Sequence, residues 1–356
     1  MSDELVPLPT PPVDVPWPAT DWPEGKPPPE VDREALDALL DAAFAEPQPA
    51  TTEHTSDVVV VWRGRLVAER YASDTGPDGV QPSWSMAKSI LHAVVGILVR
   101  DGRLSVAGPA AVPEWQQPGD SRAKITLDSL LHMTSGLRFC EDYADDQVSD
   151  VIKMLFRPGA DDMGAFAAAF PAEHPPDQVS NYSSGTSNII SAIVRRIVGG
   201  DDEYLSFLRK ELFDRIGMAS AKPRFDRSGA WIASSFCDCT PRDFARFGLL
   251  VLRAGVWDGE RILPEGWVDY ARTPAPVQPE DSDFGYGALW WLTDDGLGTF
   301  SANGYAGQYL FLVPALDLIV VRNGNTAIER KPHVVQMIRE IIGLFQKTIA
   351  DPRGSS

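Results

Sequence analysis

Apolar residues recur at the spacing of an amphipathic helix in several parts of the chain. Between Ser85 and Arg100 they form a wide apolar face, and Gly102 follows as a stop signal. The same period predicts three further helices, over Arg33–Glu46, Pro241–Arg253 and His333–Phe345. These helices need a partner surface on which to bury their apolar faces.

Strand-like runs lie near both ends of the chain. Val58–Trp62 and Leu66–Tyr71 flank a turn at Gly64, which is typical of a hairpin. The later runs are Gly285–Leu292, Thr299–Ala302, Tyr309–Val313 and Leu318–Arg322. The middle of the chain has short helical patterns and little strand signal. We therefore predict an α/β fold of the α+β type, in which one antiparallel sheet is flanked by helices and a mostly helical domain is inserted.

Proline content sets the first boundary. Prolines recur from Pro7 to Pro29 and remove backbone donors, so this arm is expected to lie extended, with Trp17 and Trp22 docking it on the body. The predicted segments are a proline-rich arm at 1–31, an α/β domain at 32–108 plus 223–350, a helical domain at 109–222 and a flexible tail at 351–356. Clefts form where such lobes meet.

The composition is that of a folded, acidic protein. Of 356 residues, 44% are hydrophobic and 23% are charged, which is enough apolar material for a core. The formal net charge of −18 repels nucleic-acid phosphates and anionic lipid surfaces. We expect no nucleic-acid or membrane partner, and the overall charge favours a small-molecule ligand that is neutral or cationic.

The ends and the cysteines bear on location. Met1–Glu4 is acidic, and the residues that follow are proline-rich, unlike a secretory signal. No apolar run approaches the roughly 18 residues of a membrane span. Cys140, Cys237 and Cys239 form an odd set without a C-x-x-C pattern, as is typical of structural thiols in a reducing compartment. The sequence predicts a soluble cytoplasmic protein.

Several catalytic and metal-binding motifs are missing from the sequence. There is no Gly-x-Ser-x-Gly, no His-Glu-x-x-His and no Gly-rich loop followed by Lys-Ser/Thr. The five histidines are scattered and none is paired at ligand spacing. We therefore expect neither a Ser-His-Asp triad nor a metal site, and no cofactor.

Ser85-Met86-Ala87-Lys88 begins the strongest predicted helix. Residues three apart share a helical face, so the hydroxyl and the amine come within hydrogen-bond reach, and a neutral lysine can take the serine proton. Lowering a lysine pKa from about 10.4 to about 7 costs roughly 4.6 kcal/mol, of which a helix N-terminus supplies roughly 0.3–2 kcal/mol. Burial, or a second cation or donor, must supply the rest, and we expect Lys88 to be largely desolvated.

The Ser-x-x-Lys spacing is not specific by itself. Ser121-Arg122-Ala123-Lys124 has the same spacing, but it lies in a polar loop and opens no apolar helix. The alternative interpretation of Ser85 is a simple helix cap beside a surface lysine. Other segments are needed to decide between the two interpretations.

Two loops add polar groups. Tyr182 and Ser184 precede a helical apolar pattern that begins at Ile189, and a tyrosine there can move a proton between a base and a leaving group. The alternative is an ordinary loop tyrosine with a capping serine. Asn303-Gly304-Tyr305 lies between two late strands, where glycine permits close approach of backbone to a ligand. The alternative there is a plain hairpin turn.

In this order, the three segments resemble the motifs of the serine β-lactamase and penicillin-binding superfamily, which are Ser-x-x-Lys, Tyr-x-Ser/Asn and a glycine-bearing strand. The match covers roughly Val58 to Phe345. Within the superfamily the chain looks most like the 6-aminohexanoate-dimer hydrolases and related esterases. The third motif departs from Lys-Thr-Gly, since the sequence reads Ala302-Asn303-Gly304. This departure argues against efficient β-lactamase action.

The resemblance implies roles for particular residues and a β-lactamase/transpeptidase-like fold. Ser85 would be the nucleophile, Lys88 its base and Tyr182 the proton relay. The remaining implied site residues are Ser184 in the polar second position, Tyr143 in a segment that covers the substrate, and Gly304 and Tyr305, of which Tyr305 shares the oxyanion hole with the backbone of Ser85. The relatives also suggest a homodimer.

These observations predict a serine hydrolase that cleaves an ester or amide of a small substrate through an acyl-enzyme. One alternative is a β-lactamase, a D-aminoacyl peptidase or a transacylase. Another is a non-catalytic relative that binds peptides. Because both Ser85 and Lys88 are intact, the sequence favours an enzyme.

Overall fold

The computed structural model describes residues 4–45, 53–143, 145, 147–157, 161–280 and 282–349. The largest sheet within these residues has seven strands. The strands are β1 His54–Trp62, β2 Arg65–Tyr71, β3 Gly285–Tyr286, β4 Trp291–Leu292, β5 Phe300–Gly304, β6 Gln308–Val313 and β7 Leu318–Asn325. Their order is β2-β1-β7-β6-β5-β4-β3, and all neighbours are antiparallel. Strands from both ends of the chain therefore meet where β1 pairs with β7.

The helices follow the apolar periodicity of the sequence. They are α1 Arg33–Ala43, α2 Met86–Arg100, α3 Leu127–Leu131, α4 Asp150–Phe156, α5 Met163–Ala168, α6 Ser184–Val198, α7 Asp201–Leu208, α8 Pro241–Leu252, α9 Trp267–Arg272 and α10 Lys331–Gln346. The predicted α/β class, with an antiparallel sheet flanked by helices, is confirmed. α1 ends at Ala43, short of the predicted Glu46, which lies outside the described residues.

The run predicted as one strand over Gly285–Leu292 is instead a tight hairpin of β3 and β4. Leu289 has a positive φ of 59° in the turn, which a continuous strand would not contain. Gly287 also packs against the carbonyl oxygen of Ala271, which would lie 2.1 Å from an added Cβ. The apolar composition of this run reflects burial of the turn and not extended backbone.

Helices cover both faces of the sheet. Because strand side chains alternate, Val59 and Val61 of β1 face the cluster that contains α2 and α8, whereas Val58 and Val60 face α1 and α10. α2 is buried from Met86 to Leu98. An apolar helix enclosed on all sides gives its N-terminus a fixed position, which matters for Ser85.

The middle of the chain is mostly helical. α3 to α7 lie there, and within the described residues no strand of the large sheet comes from 109–222. We propose that 109–222 is a helical domain inserted into an α/β domain of 32–108 and 223–350, preceded by the arm at 1–31. The predicted tail at 351–356 lies outside the described residues.

The proline-rich arm lies along the body of the protein. Arg246 of α8 donates from Nε to the carbonyl oxygen of Pro18 (2.7 Å) and from Nη2 to that of Thr20 (2.6 Å). Trp22 is buried, and the Trp17 ring lies 5.0 Å from that of Trp257. Arginine side chains thus satisfy carbonyl groups that a proline-rich segment cannot pair with its own donors.

Two further features are the length of the apolar helices and the state of the cysteines. Across the part of the chain that the structure describes, no helix combines the length and apolarity needed to cross a membrane. Cys140, Cys237 and Cys239 are free thiols.

Replacing Arg246 with alanine should destabilise the fold. The side chain is 8% exposed and also donates to Asp243 Oδ1 at 2.7 Å, so its loss leaves a buried carboxylate without its cationic partner. We expect the free energy of unfolding, measured by urea titration, to fall by about 3–5 kcal/mol. Arg65→Ala is the matched control, because Arg65 reaches the arm at an exposed pair with Asp14 and should cost less than about 1 kcal/mol. Equal losses for the two variants would contradict this view of the arm.

Candidate active site

The N-terminus of α2 presents Ser85 to a cleft. Ser85 directly precedes Met86 with helical backbone angles (φ −65°, ψ −7°), and its side chain makes no capping hydrogen bond. Trp84 has a positive φ of 43°, which is rare for a tryptophan and typical of functional turns. The simple helix-cap alternative therefore does not fit, since the hydroxyl is directed away from the helix backbone.

Lys88 lies one turn further along and is 1% exposed. Its Nζ lies 2.9 Å from Ser85 Oγ, 3.1 Å from Ser184 Oγ and 2.9 Å from the carbonyl oxygen of Ser234, within hydrogen-bond distance of each. Burial lowers the pKa of Lys88 to about 8, although the charge of Glu141 raises it. The surface-lysine alternative does not fit this position.

Glu141 organises the polar side of the site. Its carboxylate accepts hydrogen bonds from the Ser184 N–H (2.8 Å), from Ser184 Oγ (2.5 Å) and from the Tyr143 hydroxyl (3.1 Å). The sequence resemblance placed Tyr143, two residues further on, in a segment that covers the substrate, but it gave no role to Glu141 or to the Ser234 carbonyl. Residue types near a motif reveal neither, because both contacts join segments that are far apart in the chain.

Tyr182 lies on the other side of the amine. Its ring centroid is 4.8 Å from Lys88 Nζ, and the nearby Ser85 side chain acts to lower the pKa of its hydroxyl. Burial, with the nearby charge of Glu141, raises the pKa of Tyr182 far above its usual range, so the phenol keeps its proton. The ring packs on Trp291 at a centroid distance of 5.2 Å.

The end of β5 approaches the start of α2. At Gly304 an added Cβ would lie 2.7 Å from the carbonyl oxygen of Ser83, so the two backbones are in close contact. Tyr305 follows, and its ring contacts Trp84 and Tyr143 at centroid distances of 5.3 and 5.0 Å. The backbone at Gly304, next to Tyr305, is therefore held against that of Ser83, two residues before Ser85, and a side chain at position 304 would not fit.

Most of these groups line one cleft of about 540 Å³. Its lining includes Ser85, Glu141, Tyr143, Tyr182, Gly304 and Tyr305. Trp291 also lines the cleft, whereas Trp290 is fully buried against Phe247 and Phe300. The structure brings all seven residues predicted for the site to one place, with Lys88 and Ser184 beneath the surface.

The second Ser-x-x-Lys sequence has a different environment. Ser121–Lys124 is a short 3₁₀ helix, and Ser121 and Lys124 are both exposed. Among the described residues, no cluster of three or more His, Cys, Asp or Glu side chains could hold a metal ion. The chemistry of the cleft is that of hydroxyl, amine and carboxylate groups.

Comparison with known proteins agrees with this geometry. The family model described as Beta-lactamase matches residues 42–336. The chain belongs to the beta-lactamase family. It is 28% identical over 303 residues to a 6-aminohexanoate-dimer hydrolase of Paenarthrobacter ureafaciens, which covers 81% of this chain and 76% of that protein. The resemblance and the hydrolase class expected from the sequence motifs are confirmed.

Solved structures establish the beta-lactamase fold. One from Bacillus anthracis, provisionally named a 6-aminohexanoate-dimer hydrolase, has a TM-score of 0.73 at 22% identity and covers 96% of this chain and 90% of that one. A penicillin-binding protein homologue from Caulobacter crescentus has a TM-score of 0.68 at 18% identity, and the match covers 90% of this chain and 99% of that one. At these identities the likeness concerns the fold alone.

Substituting Gly304 with alanine should impair the site without unfolding the protein. The new methyl group would press on the carbonyl of Ser83 and shift the backbone of Tyr305. A displacement of about 1 Å can cost about 100-fold in kcat/KM, which we expect in hydrolysis of a chromogenic short-chain ester. Gly343→Ala in α10 is the control, because nothing lies within 4 Å of its added Cβ. Wild-type activity in Gly304→Ala would contradict the close-approach argument.

Proposed function

We propose that this chain is a serine hydrolase that cleaves an ester or amide bond of a small substrate, with Ser85 as nucleophile and Lys88 as general base. The observation that carries the proposal is the buried Lys88 amine at 2.9 Å from the Ser85 hydroxyl. A nucleophile and a base within hydrogen-bond reach are the minimum for this chemistry.

The hydrogen-bond partners of Lys88 specify where its protons lie. The carbonyl oxygen of Ser234 can only accept, and Ser184 gives its one hydroxyl proton to Glu141, so both accept from the amine. A neutral amine has two protons for these two acceptors. Its lone pair is then left for the Ser85 hydroxyl, which donates its proton to it. The network therefore aims the base at the nucleophile.

The reaction follows from these positions. Ser85 Oγ attacks the substrate carbonyl carbon while its proton passes to Lys88 Nζ, and the backbone N–H groups of Ser85 and Tyr305 stabilise the oxyanion. The bond to the leaving group then breaks, and that group receives the proton through the Tyr182 hydroxyl. Water then gives a proton to Lys88 and attacks the acyl carbon, the bond to Ser85 Oγ breaks, and Ser85 regains its proton from Lys88 as the acid product leaves. No step needs a cofactor.

The names of relatives support both bond types. The curated relative at 28% identity is named a 6-aminohexanoate-dimer hydrolase, and neighbours of the same fold are named a family VIII carboxylesterase and a D-stereospecific amidohydrolase. A cleft of about 540 Å³ suits a small substrate. The homodimer suggested by the resemblance stays a prediction.

Labelling with a fluorophosphonate tests the nucleophile and the base together. Mass spectrometry of peptides should place the label on Ser85, and Ser85→Ala should abolish it. Lys88→Ala should slow labelling by about 10²–10⁴-fold, the usual contribution of a general base.

The second Ser-x-x-Lys sequence provides matched controls for this experiment. Ser121→Ala and Lys124→Ala should label at the wild-type rate, since both side chains are exposed. Label on a residue other than Ser85, or an unchanged rate in Lys88→Ala, would refute the proposal.

The activity should depend on pH through Lys88. Below its pKa of about 8 the amine is charged and cannot accept a proton, so kcat/KM for a neutral ester should rise with pH and level off above about 8. Because Glu141 raises the Lys88 pKa, Glu141→Gln should move the midpoint to lower pH. Asp283→Asn, which removes an exposed carboxylate of the same cleft, should leave the midpoint in place. A midpoint that stays fixed or rises in Glu141→Gln would contradict this electrostatic assignment.

A further inference from the structure

The turn that joins β5 to β6 has a backbone conformation that must be held in place. It consists of Tyr305, Ala306 and Gly307, and φ is 57° at Ala306 and 84° at Gly307. This left-handed region suits glycine but is unfavourable for alanine, and it persists where the surrounding structure fixes it. The contacts that fix the turn therefore matter for Tyr305, whose backbone N–H the proposed reaction uses.

Gln308 supplies several of these contacts. It begins β6, and its side chain is fully buried. Its Nε2 lies 3.1 Å from the carbonyl oxygen of Tyr305, 3.4 Å from that of Ala306 and 2.6 Å from that of Gly324 in β7. Its Oε1 accepts a hydrogen bond from the Gly324 N–H at 3.1 Å. Because only the amide oxygen can accept that bond, Nε2 is the atom that faces the turn.

Two other buried groups hold the same turn. The backbone N–H of Thr326 donates to the carbonyl oxygen of Ala306 (3.0 Å), and Arg322 donates from Nη1 to that of Gly307 (2.8 Å). Arg322 is fully buried, and an added Cβ at Gly307 would lie 2.6 Å from its Nη1. Each carbonyl oxygen of the turn therefore accepts a hydrogen bond from Gln308, from Thr326 or from Arg322.

Gln308 is tied to the peptide groups on both sides of the Tyr305 Cα. Its backbone pairs with Gly304 in the ladder between β5 and β6, and its side chain donates to the Tyr305 carbonyl oxygen. The stem of this side chain also lies against Gly304, where an added Cβ would be 2.8 Å from the Gln308 Cβ. The peptide group before Tyr305 carries its N–H and the one after it carries its carbonyl oxygen, so both backbone dihedral angles of Tyr305 are constrained.

We propose that Gln308 is a positioning residue for the oxyanion hole, because it holds the Tyr305 turn in the shape in which the Tyr305 N–H meets the developing oxyanion. This inference rests on the proposed function, since the oxyanion arises in the reaction that begins at Ser85. Gln308 is not among the residues that line the cleft, so it acts through Tyr305 and not on the substrate. Donors that are fixed before the reaction stabilise an oxyanion without reorganisation, and removing one typically costs about 10²–10³-fold in kcat.

Replacing Gln308 with methionine tests this role. Methionine has a similar length and volume but no amide, so the turn keeps its packing and loses the hydrogen bonds to Tyr305 and Gly324. We expect kcat for a chromogenic short-chain ester to fall roughly 10- to 100-fold while KM stays within about 2-fold, because the lost contact acts in the transition state. The pH midpoint near 8 should not move, since the surroundings of Lys88 are unchanged.

Binding of a transition-state analogue gives a readout that a loss of stability alone would not change. Phenylboronic acid forms a tetrahedral adduct with a reactive serine, in which one boron-bound oxygen takes the place of the oxyanion. Its affinity for Gln308→Met should fall by about the same factor as kcat/KM.

Trp115→Phe is the control for lost stability. Trp115 is fully buried and donates from Nε1 to the carbonyl oxygen of Ala168 (2.9 Å), and it does not line the cleft. Loss of this buried hydrogen bond should lower Tm but leave kcat and the boronate affinity within about 2-fold of the wild type.

If Gln308→Met does not fold, Gln308→Asn replaces it, because its amide is one methylene too short to reach Tyr305 and Gly324 together. A loss of kcat no larger than that of Trp115→Phe, or an unchanged boronate affinity, would overturn the positioning role. If the fluorophosphonate labels Ser85 of the wild type in that case, the hydrolase stands. If Ser85 is not labelled, the hydrolase is wrong, and the positioning role falls with it.

Discussion

Lys88 Nζ is held 2.9 Å from the Ser85 hydroxyl by two further acceptors, and the fold removes water from it. Burial opposes the charged amine and lowers its pKa from 10.5 to about 8, a change worth about 3 kcal/mol. Burial is the first cause of this shift, and a helix N-terminus, which supplies at most about 2 kcal/mol, does not account for all of it. The buried helix α2 fixes Ser85 and Lys88, and Gly304 allows the end of β5 to lie against the backbone of Ser83, just before this helix.

Glu141 limits how far burial lowers the pKa of Lys88. Its carboxylate accepts the Ser184 hydroxyl proton, which in the proposed mechanism leaves the lone pair of the amine for Ser85, but its charge also stabilises the ammonium form. Glu141 therefore has two effects on the proposed base: it helps to orient the Lys88 amine and it raises the pKa of that amine. A base with a pKa near the working pH combines a useful neutral fraction with a strong tendency to accept a proton. Tyr182 lies half-buried beside the same amine and stays protonated, which suits its proposed role as a donor to the leaving group.

Local patterns in the sequence predicted much of the fold and part of the site. The apolar period of α2 and its Ser85–Lys88 spacing are properties of one helix, and so they were readable from a short segment. The carbonyl of Ser234 lies 146 residues from Lys88, and Glu141 meets Ser184 across 43 residues, so only the folded chain reveals these contacts. The apolar pattern of the sequence predicts one strand where the structure has the hairpin of β3 and β4, because the turn of that hairpin is buried and its residues are apolar.

A direct titration of the Lys88 amine tests the central claim most closely. Lysine labelled with ¹³C at Cε reports its own protonation by NMR, and Lys88→Arg assigns the signal. The buried position predicts a midpoint near pH 8 for Lys88, while exposed lysines titrate near their ordinary value of about 10.4. If Lys88 instead titrated at the same pH as the exposed lysines, its amine would be charged at neutral pH, and Ser85 would need a different base.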